Sequence, residues 1–334
     1  MEGKWPAGRV VFLMGPTGSG KSSLAVSLSQ ILPVEIISVD STLVYKGAKI
    51  GAARPSSSML RRAKHHLIGV CSLRHNYSVA QFQKDASKKI AQIQRRKKIP
   101  VLVGGTGMYF RALENGLHFL PDKDVSVRKE LITIAEKFGV SRLHEMLATI
   151  DPESARRINE CDLHRLIRAI EVYQVSGCTM TKLRATSGRE KSQILPIKFI
   201  LGGRSRTLLA TAVADRFDEM LERGLINEVS ELIRLTGDCG DNQLLKSVGY
   251  KQVRAYLSGQ INYSEMKRQA VVATCQLAKR QRTWFRKEVG AIWCDSASVN
   301  SDIGTMVELI CSEIMDVGMM RRSHLGLSPV LTRV

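Results

Sequence analysis

Acids are scarce in this chain. Its 334 residues hold 31 Asp and Glu against 50 Lys and Arg, a formal charge of +19. Such an excess calls for an anionic partner. Nucleic acid is the first candidate, because each neutralised phosphate releases counterions. An anionic membrane surface and plain solubility are the alternatives. Metal-binding spacing is missing too. Seven cysteines, at 71, 161, 178, 239, 275, 294 and 311, form no C-x-x-C pair, and no Cys/His cluster has the spacing of a zinc site. Their scatter points to a reducing compartment. His65-His66 are adjacent, so a strand turns them to opposite faces and they chelate poorly. No apolar run approaches the ~20 residues of a membrane helix, and Met1 to Gly8 lacks a signal-peptide layout. A cytoplasmic protein with no membrane partner is expected. Hydrophobic residues make up 44%, enough for a proper core in one large or two ordinary domains.

What the chain has is Gly15-Pro16-Thr17-Gly18-Ser19-Gly20-Lys21-Ser22. It comes after the apolar run Val10 to Met14 and precedes Ser23 to Leu28, in the order strand, glycine-rich loop, helix. The loop fits G-x-x-x-x-G-K-[ST] in full. Glycines let backbone N–H groups turn inward around a phosphate, and the helix N-terminus aims its dipole at the same anion. Lys21 adds a positive charge, and the Ser22 hydroxyl can reach a Mg²⁺ on the phosphates.

Val34 to Val39 reads as a buried parallel strand with Asp40 at its carboxyl end. Ligands of open α/β sheets bind at that edge, so Asp40 should face the crevice of the phosphate loop. An acid capping a turn is the plain alternative. Residues 45–64 look loop-like and basic, and His65 to Val70 reads as a short strand. Ser78 caps a helix reaching Lys98. Ile99 to Val103 is a further central strand, and the residues at its end are informative. Gly104-Gly105-Thr106-Gly107 stands where a P-loop ATPase carries its metal-binding acid. A motor or GTPase is disfavoured, and the glycines permit close backbone approach while Thr106 offers a hydroxyl.

Residues 119–196 change character and read as a helical insertion. Helices are expected over 125–138, 141–149 (Ser141 as cap), 152–158 (Asp151 as cap) and 163–175, with Gly177 as C-cap. Strand pattern returns at 197–202. Thr207 then caps a helix to Arg223 that contains Arg216, and a second runs to Leu235. Lys246 opens another, in which Gly249 sits oddly and suggests close packing. Tyr263 to Lys287 is one long helix with Arg268, Lys279, Arg282 and Arg286 on a shared stripe. A last strand at 291–294, a helix over 297–316 and a loose tail from 318 complete the chain. The division is a P-loop NTPase-like α/β core over 1–118 and 197–300, a helical insertion over 119–196, and a C-terminal helix and tail over 301–334.

These pieces compose group transfer. The loop holds a phosphorylated donor, Asp40 serves as general base, and Lys21, Arg216, Thr106 and Mg²⁺ steady a departing diphosphate. The basic surface supplies a nucleic-acid acceptor.

From about Val10 to Ser296 the chain resembles the tRNA dimethylallyltransferases, in which a dimethylallyl group goes onto the exocyclic amine of the adenosine 3′ to the anticodon. The resemblance is carried by Gly15 to Ser22, Leu32 to Ser41, Val44 to Gly47, Val101 to Thr106, His164 to Val172, Val248 to Tyr250 and Gln276 to Trp284. It implies that Gly15, Thr17, Gly18, Ser19, Gly20, Lys21 and Ser22 bind dimethylallyl diphosphate rather than ATP. It implies that Asp40 takes the proton of the adenosine amine beside Thr106, and that Arg216 contacts the diphosphate. It further implies tRNA contacts at Asp40, Ser41, Thr42 and Leu43, at Arg128, at His164, Arg165, Leu166, Ile167 and Arg168, and at Lys246, Ser247, Val248, Gly249, Tyr250 and Lys251. The resemblance also implies that the adenosine flips from its loop into the pocket, and the insertion resembles the helical domain that grips the anticodon stem. A monomer with Mg²⁺ as cofactor is expected. The chain departs from the pattern at Gly69, where Asp is usual, at Ala210 to Val213, and at Lys246-Ser247. The zinc-finger extension of many eukaryotic members is absent, which suggests a bacterial-type or organellar protein. The rival readings are an adenylate isopentenyltransferase acting on free AMP, ADP or ATP, a small-molecule P-loop kinase, and a catalytically dead RNA-binding protein.

Overall fold

Strand β1 (Arg9–Met14) is followed by α1 (Lys21–Leu28), β2 (Val34–Val39), α2 (Ser57–Arg62), β3 (His65–His66), α3 (Val79–Arg95), β4 (Ile99–Gly104) and α4 (Gly107–Asn115). Next come α5 (Val125–Phe138), α6 (Val140–Ile150), α7 (Pro152–Arg157), α8 (Leu163–Ser176) and α9 (Met180–Thr186). The chain then runs through β5 (Leu195–Leu201), α10 (Arg206–Glu222), α11 (Leu225–Thr236), α12 (Tyr250–Leu257), α13 (Tyr263–Phe285), β6 (Ala291–Cys294) and α14 (Ile303–Gly318). This computed structural model describes residues 6, 8–186, 193–203, 205–236, 242–294 and 303–318. Residues 187–192 and the tail beyond 318 lie outside them. The contacts divide the chain into two units, Met1–Glu114 with Gln193–Val334, and Asn115–Ser192.

The first unit is built on a six-stranded sheet in the order β3-β2-β4-β1-β5-β6. Every pairing is parallel. The strands are apolar on both faces, as a sheet covered by helices on both sides requires. Alternation sends Val10, Phe12 and Met14 into one core and Val11 and Leu13 into the other. The first core is closed by α3, α4 and the helices from α10 to α13, and Phe110 bridges Phe12 (centroids 4.9 Å apart) and Phe285 (6.4 Å) within it. The second core is closed by α1 and α14. No described helix is long and apolar enough to cross a membrane.

One charge is buried in this sheet. Glu35, 1% exposed, lies inside β2. Its carboxylate accepts from Arg96 Nη2 at 2.6 Å and Nε at 3.1 Å, meets His66 Nε2 at 2.6 Å, and faces Lys98 Nζ at 3.3 Å. The adjacent histidines do face different partners, since His65 Nδ1 instead meets the Ala63 carbonyl at 2.8 Å. Burial would push the Glu35 pKa up, but the hydrogen bonds of Arg96, His66 and Lys98 outweigh it and hold it at about 2, against 4.5 unperturbed. A depressed carboxyl stabilises the fold fully above its unfolded value and loses that contribution as pH falls through the folded one. Glu35→Gln is therefore expected to destabilise the protein by about 3 kcal/mol at neutral pH. It should also flatten the loss of stability between pH 4.5 and 2, measured by urea unfolding across that range.

Several local expectations are corrected. The stretch 45–64 contains helix α2, capped by Ser56, whose hydroxyl accepts the Met59 N–H at 3.3 Å. Strand β3 is only His65–His66. Helix α6 starts behind Gly139 rather than Ser141, and α10 is capped by Ser205, not Thr207. Gly249 has φ +88° and open space where a Cβ would sit, so it answers a left-handed backbone at the start of α12 and not close packing. The caps at Ser78, Asp151 and Gly177 are as expected.

Candidate active site

Three neighbouring strands end in one row. Gly104 of β4 is in register with Met14 of β1 on one side and Val39 of β2 on the other. Beyond these ends lie the phosphate loop after β1, Gly105-Thr106 after β4, and Asp40 after β2. With strands about 4.8 Å apart, the loop and Asp40 are separated by two spacings and Thr106 lies between them. The Thr106 N–H closes the row by donating to the Val39 carbonyl at 3.4 Å.

The phosphate loop arrives preformed. Gly20, at φ +85°, caps α1 with no side chain in the way. The first N–H groups of a helix have no partner within it, so those of Lys21 and Ser22 are free for an anion. Lys21 is 9% exposed. Its Nζ folds back on the loop, donating to the Pro16 carbonyl at 2.5 Å and to Ser19 Oγ at 3.1 Å. Burial pulls its pKa down to about 7; the Asp40 carboxylate opposes this and Arg216 adds to it. Lys21, Asp40 and Arg216 thus lie within electrostatic reach of one another. Arg216, on α10, makes no ion pair among the described residues. Partial desolvation lowers its pKa, while Glu219 and Asp40 favour its charge.

Asp40 serves both readings at once. Its Oδ1 accepts from Thr42 N at 2.8 Å, Thr42 Oγ1 at 2.5 Å and Leu43 N at 3.2 Å, so it does cap a turn. Its Oδ2 accepts no hydrogen bond among the described residues and is available to a ligand. Ser41, Thr42 and Leu43 are half-buried. Ser22 is exposed at the first turn of α1.

The other candidates fall into surface and support. In the first unit Lys246 and Lys251 are exposed, Val248 is half-buried, and Ser247 Oγ donates to the Leu244 carbonyl at 2.6 Å. Gly249 and Tyr250 are buried, and the Tyr250 hydroxyl donates to Glu228 at 2.7 Å. In the second unit His164 and Arg165 are exposed on α8, with Arg165 paired to Asp162 at 3.2 Å. Leu166 and Ile167 point into the helical core. The side chains of Leu166, Ile167 and Tyr250 are taken up by the packing that holds their elements. Arg128 and Arg168 are drawn together by Glu171, 0% exposed, at 2.7 Å each. Burial raises the Glu171 pKa, yet hydrogen bonds from Arg128 and Arg168 leave it below the usual range. Each guanidinium remains partly open to solvent.

Two residues inside the matched stretches are given no role by the sequence reading. Glu171 is one; its partner Arg128 lies 43 positions away. Gln281 is the other, and it ties the phosphate loop to Gly105. Neither carries a local signal, since its meaning comes from a distant segment.

A parallel sheet whose inner strand runs into a phosphate loop defines an α/β protein with a P-loop-like core. The chain belongs to the IPP transferase family, whose model matches residues 43–288. It is 40% identical over 313 residues to the tRNA dimethylallyltransferase of Coxiella burnetii, covering 93% of this chain and 98% of that protein. It is 46% identical over 280 residues to the one of Methylobacillus flagellatus, covering 83% and 88%. Among solved structures it is similar to the full-length tRNA isopentenylpyrophosphate transferase of Bacillus halodurans, with TM-score 0.67, 31% identity and coverage of 94% and 99%. A eukaryotic dimethylallyltransferase acting on tRNA shares the fold at TM-score 0.77 and 23% identity, over 93% of this chain and 80% of that one.

Proposed function

We propose that the chain transfers the dimethylallyl group of dimethylallyl diphosphate to the N6 amine of the adenosine 3′ to the anticodon in tRNA, releasing diphosphate. The observation that carries this reading is the strand-end row: phosphate loop, Thr106 and an Asp40 whose Oδ2 is open. Family membership names the chemistry that such a row serves.

In the reaction a bond forms from N6 to C1 of the dimethylallyl group as the C1–oxygen bond breaks. The electron pair of that bond leaves on the diphosphate, and the N6 proton goes to Asp40 Oδ2. Little covalent help is needed. The requirement is positive charge where negative charge develops. The amides of the loop, Lys21 and Arg216 meet the departing oxygens, and Thr106 offers its hydroxyl between diphosphate and amine. Lys21 is buried with its proton loosely held, so an arriving diphosphate relieves it.

Mg²⁺ fits this site through Ser22. No group of three or more His, Cys, Asp or Glu among the described residues could hold a metal. An ion bound mainly by substrate phosphates and water, with one hydroxyl from the protein, is the arrangement that Mg²⁺ favours. Bound there, it supplies charge neutralisation on the leaving group.

The tRNA, through its anticodon stem-loop, meets the exposed cations Lys246 and Lys251 in the first unit and Arg165 in the second, where the exposed His164 ring lies next to Arg165 in the chain. Arg128 and Arg168, held by Glu171, present their remaining N–H groups to the backbone. Base flipping brings the adenosine to Asp40. On this reading the protein acts as a cytoplasmic monomer.

The test is incubation with radiolabelled dimethylallyl diphosphate, offering tRNA and AMP side by side. Label is expected on tRNA, at the adenosine 3′ to the anticodon. Label on AMP alone would overturn the assignment.

A further inference from the structure

One amide joins the two walls of the crevice. Gln281 lies on α13, 264 positions from Thr17, and its Oε1 accepts the Thr17 N–H at 2.9 Å. Its Nε2 donates to the Gly105 carbonyl at 3.0 Å. The side chain therefore runs from the phosphate loop to the residue before Thr106. Gly105 does not have a positive φ. What it lacks room for is a side chain: a Cβ there would collide with the Gln281 amide. The next turn of α13 repeats the arrangement, since a Cβ on Gly107 would collide with the Trp284 indole. One helix face is thus seated on two glycines that flank Thr106.

We propose that Gln281 is a positioning residue that fixes the gap between the phosphate loop and Thr106, and so the placement of the diphosphate against the acceptor amine. This rests on the reading of the crevice as a diphosphate site. Gln281 occupies the Thr17 N–H and the Pro16 carbonyl accepts that of Ser19 at 3.4 Å, which leaves the amides of Gly18, Gly20, Lys21 and Ser22 as the anion donors. By holding the Gly105 carbonyl, it keeps Thr106 at a set distance from Lys21. The sheet fixes the strand ends, but the loops beyond them need a strut of their own. A misplacement of about 1 Å at a reacting centre can cost about a hundredfold in rate.

Gln281→Met keeps length and bulk while removing both hydrogen bonds. It is expected to lower kcat about ten- to a hundredfold and to raise KM for dimethylallyl diphosphate, with tRNA affinity and thermal midpoint nearly unchanged. A merely structural residue would move the midpoint and leave the kinetics well below it alone. The second measurement is a double-mutant cycle. Gly105→Ala should impair the unaltered protein by expelling the Gln281 amide. In a Gln281→Ala background the same change should cost little more, because the collision is gone. Unaltered kinetics in Gln281→Met, or equal losses from Gly105→Ala in both backgrounds, would overturn the inference alone. If the unaltered protein transferred nothing from dimethylallyl diphosphate, the diphosphate reading itself would fall, and this inference with it.

Discussion

Asp40→Asn is expected to lower kcat by about 10²- to 10⁴-fold, as for loss of a general base, while the protein stays folded and binds tRNA nearly as before. The two carboxylate oxygens explain why Asn is the informative choice. Oδ1 caps the turn at Thr42 and Leu43, and an amide oxygen can keep that role. Oδ2 is the oxygen free to take a proton, and an amide nitrogen cannot. Asp40→Ala should lose both, adding a cap loss of about 1 kcal/mol to the same kinetic defect. Single-turnover rates with both variants, beside their thermal midpoints, separate the two roles. A normal rate in Asp40→Asn would remove Asp40 from the proton transfer.

Lys21→Met is expected to lower kcat by about 10²- to 10³-fold, the usual cost of removing one donor from developing negative charge. Its effect on stability should have the opposite sign. Burial has drawn the Lys21 pKa down to about 7 from 10.5. The unfolded chain therefore binds this proton more tightly between those values, and stability rises with pH through that window. Below pH 7 the cost of the buried charge is complete. Lys21→Met removes it, so its thermal midpoint at pH 6.5 should not fall below that of the unaltered protein, and the rise toward pH 10 should shrink. Lys21→Arg is not a mild change here. The Nζ site is a small enclosure between the Pro16 carbonyl and Ser19 Oγ, and a planar fork does not fit it. A midpoint that drops together with the rate would mean that Lys21 holds the loop rather than its ligand.

Much of this architecture is legible in the sequence, for reasons that differ by element. The phosphate loop is a complete local pattern between a strand and a helix, and the pattern is its geometry. Ser78 and Asp151 announce helices because capping is settled within three residues. Asp40 and Thr106 are readable as strand-end residues once their strands are recognised by apolar runs. Helix α2 is missed because it has no buried residue and hence no periodicity, although Ser56 carries the cap signal. Glu35 inside a strand is invisible because Arg96, which satisfies it, lies 61 positions on. Gly249 is misread for a subtler cause, since sequence alone cannot separate a glycine needed for its φ from one needed for its smallness. The burial of Leu166, Ile167 and Tyr250 shows the limit of a matched segment: it marks a stretch, while the helix or turn decides which of its side chains face outward.

The row formed by Met14, Gly104 and Val39 makes the sheet a ruler. The interval from phosphate to base is graduated in whole strands, and finer adjustment is left to the loops beyond the strand ends and to the Gln281 amide that braces them. Gradual change in the helices away from that brace would therefore alter which acceptor arrives and how firmly it is held, but leave the length of the chemical step where the hydrogen-bond ladder put it.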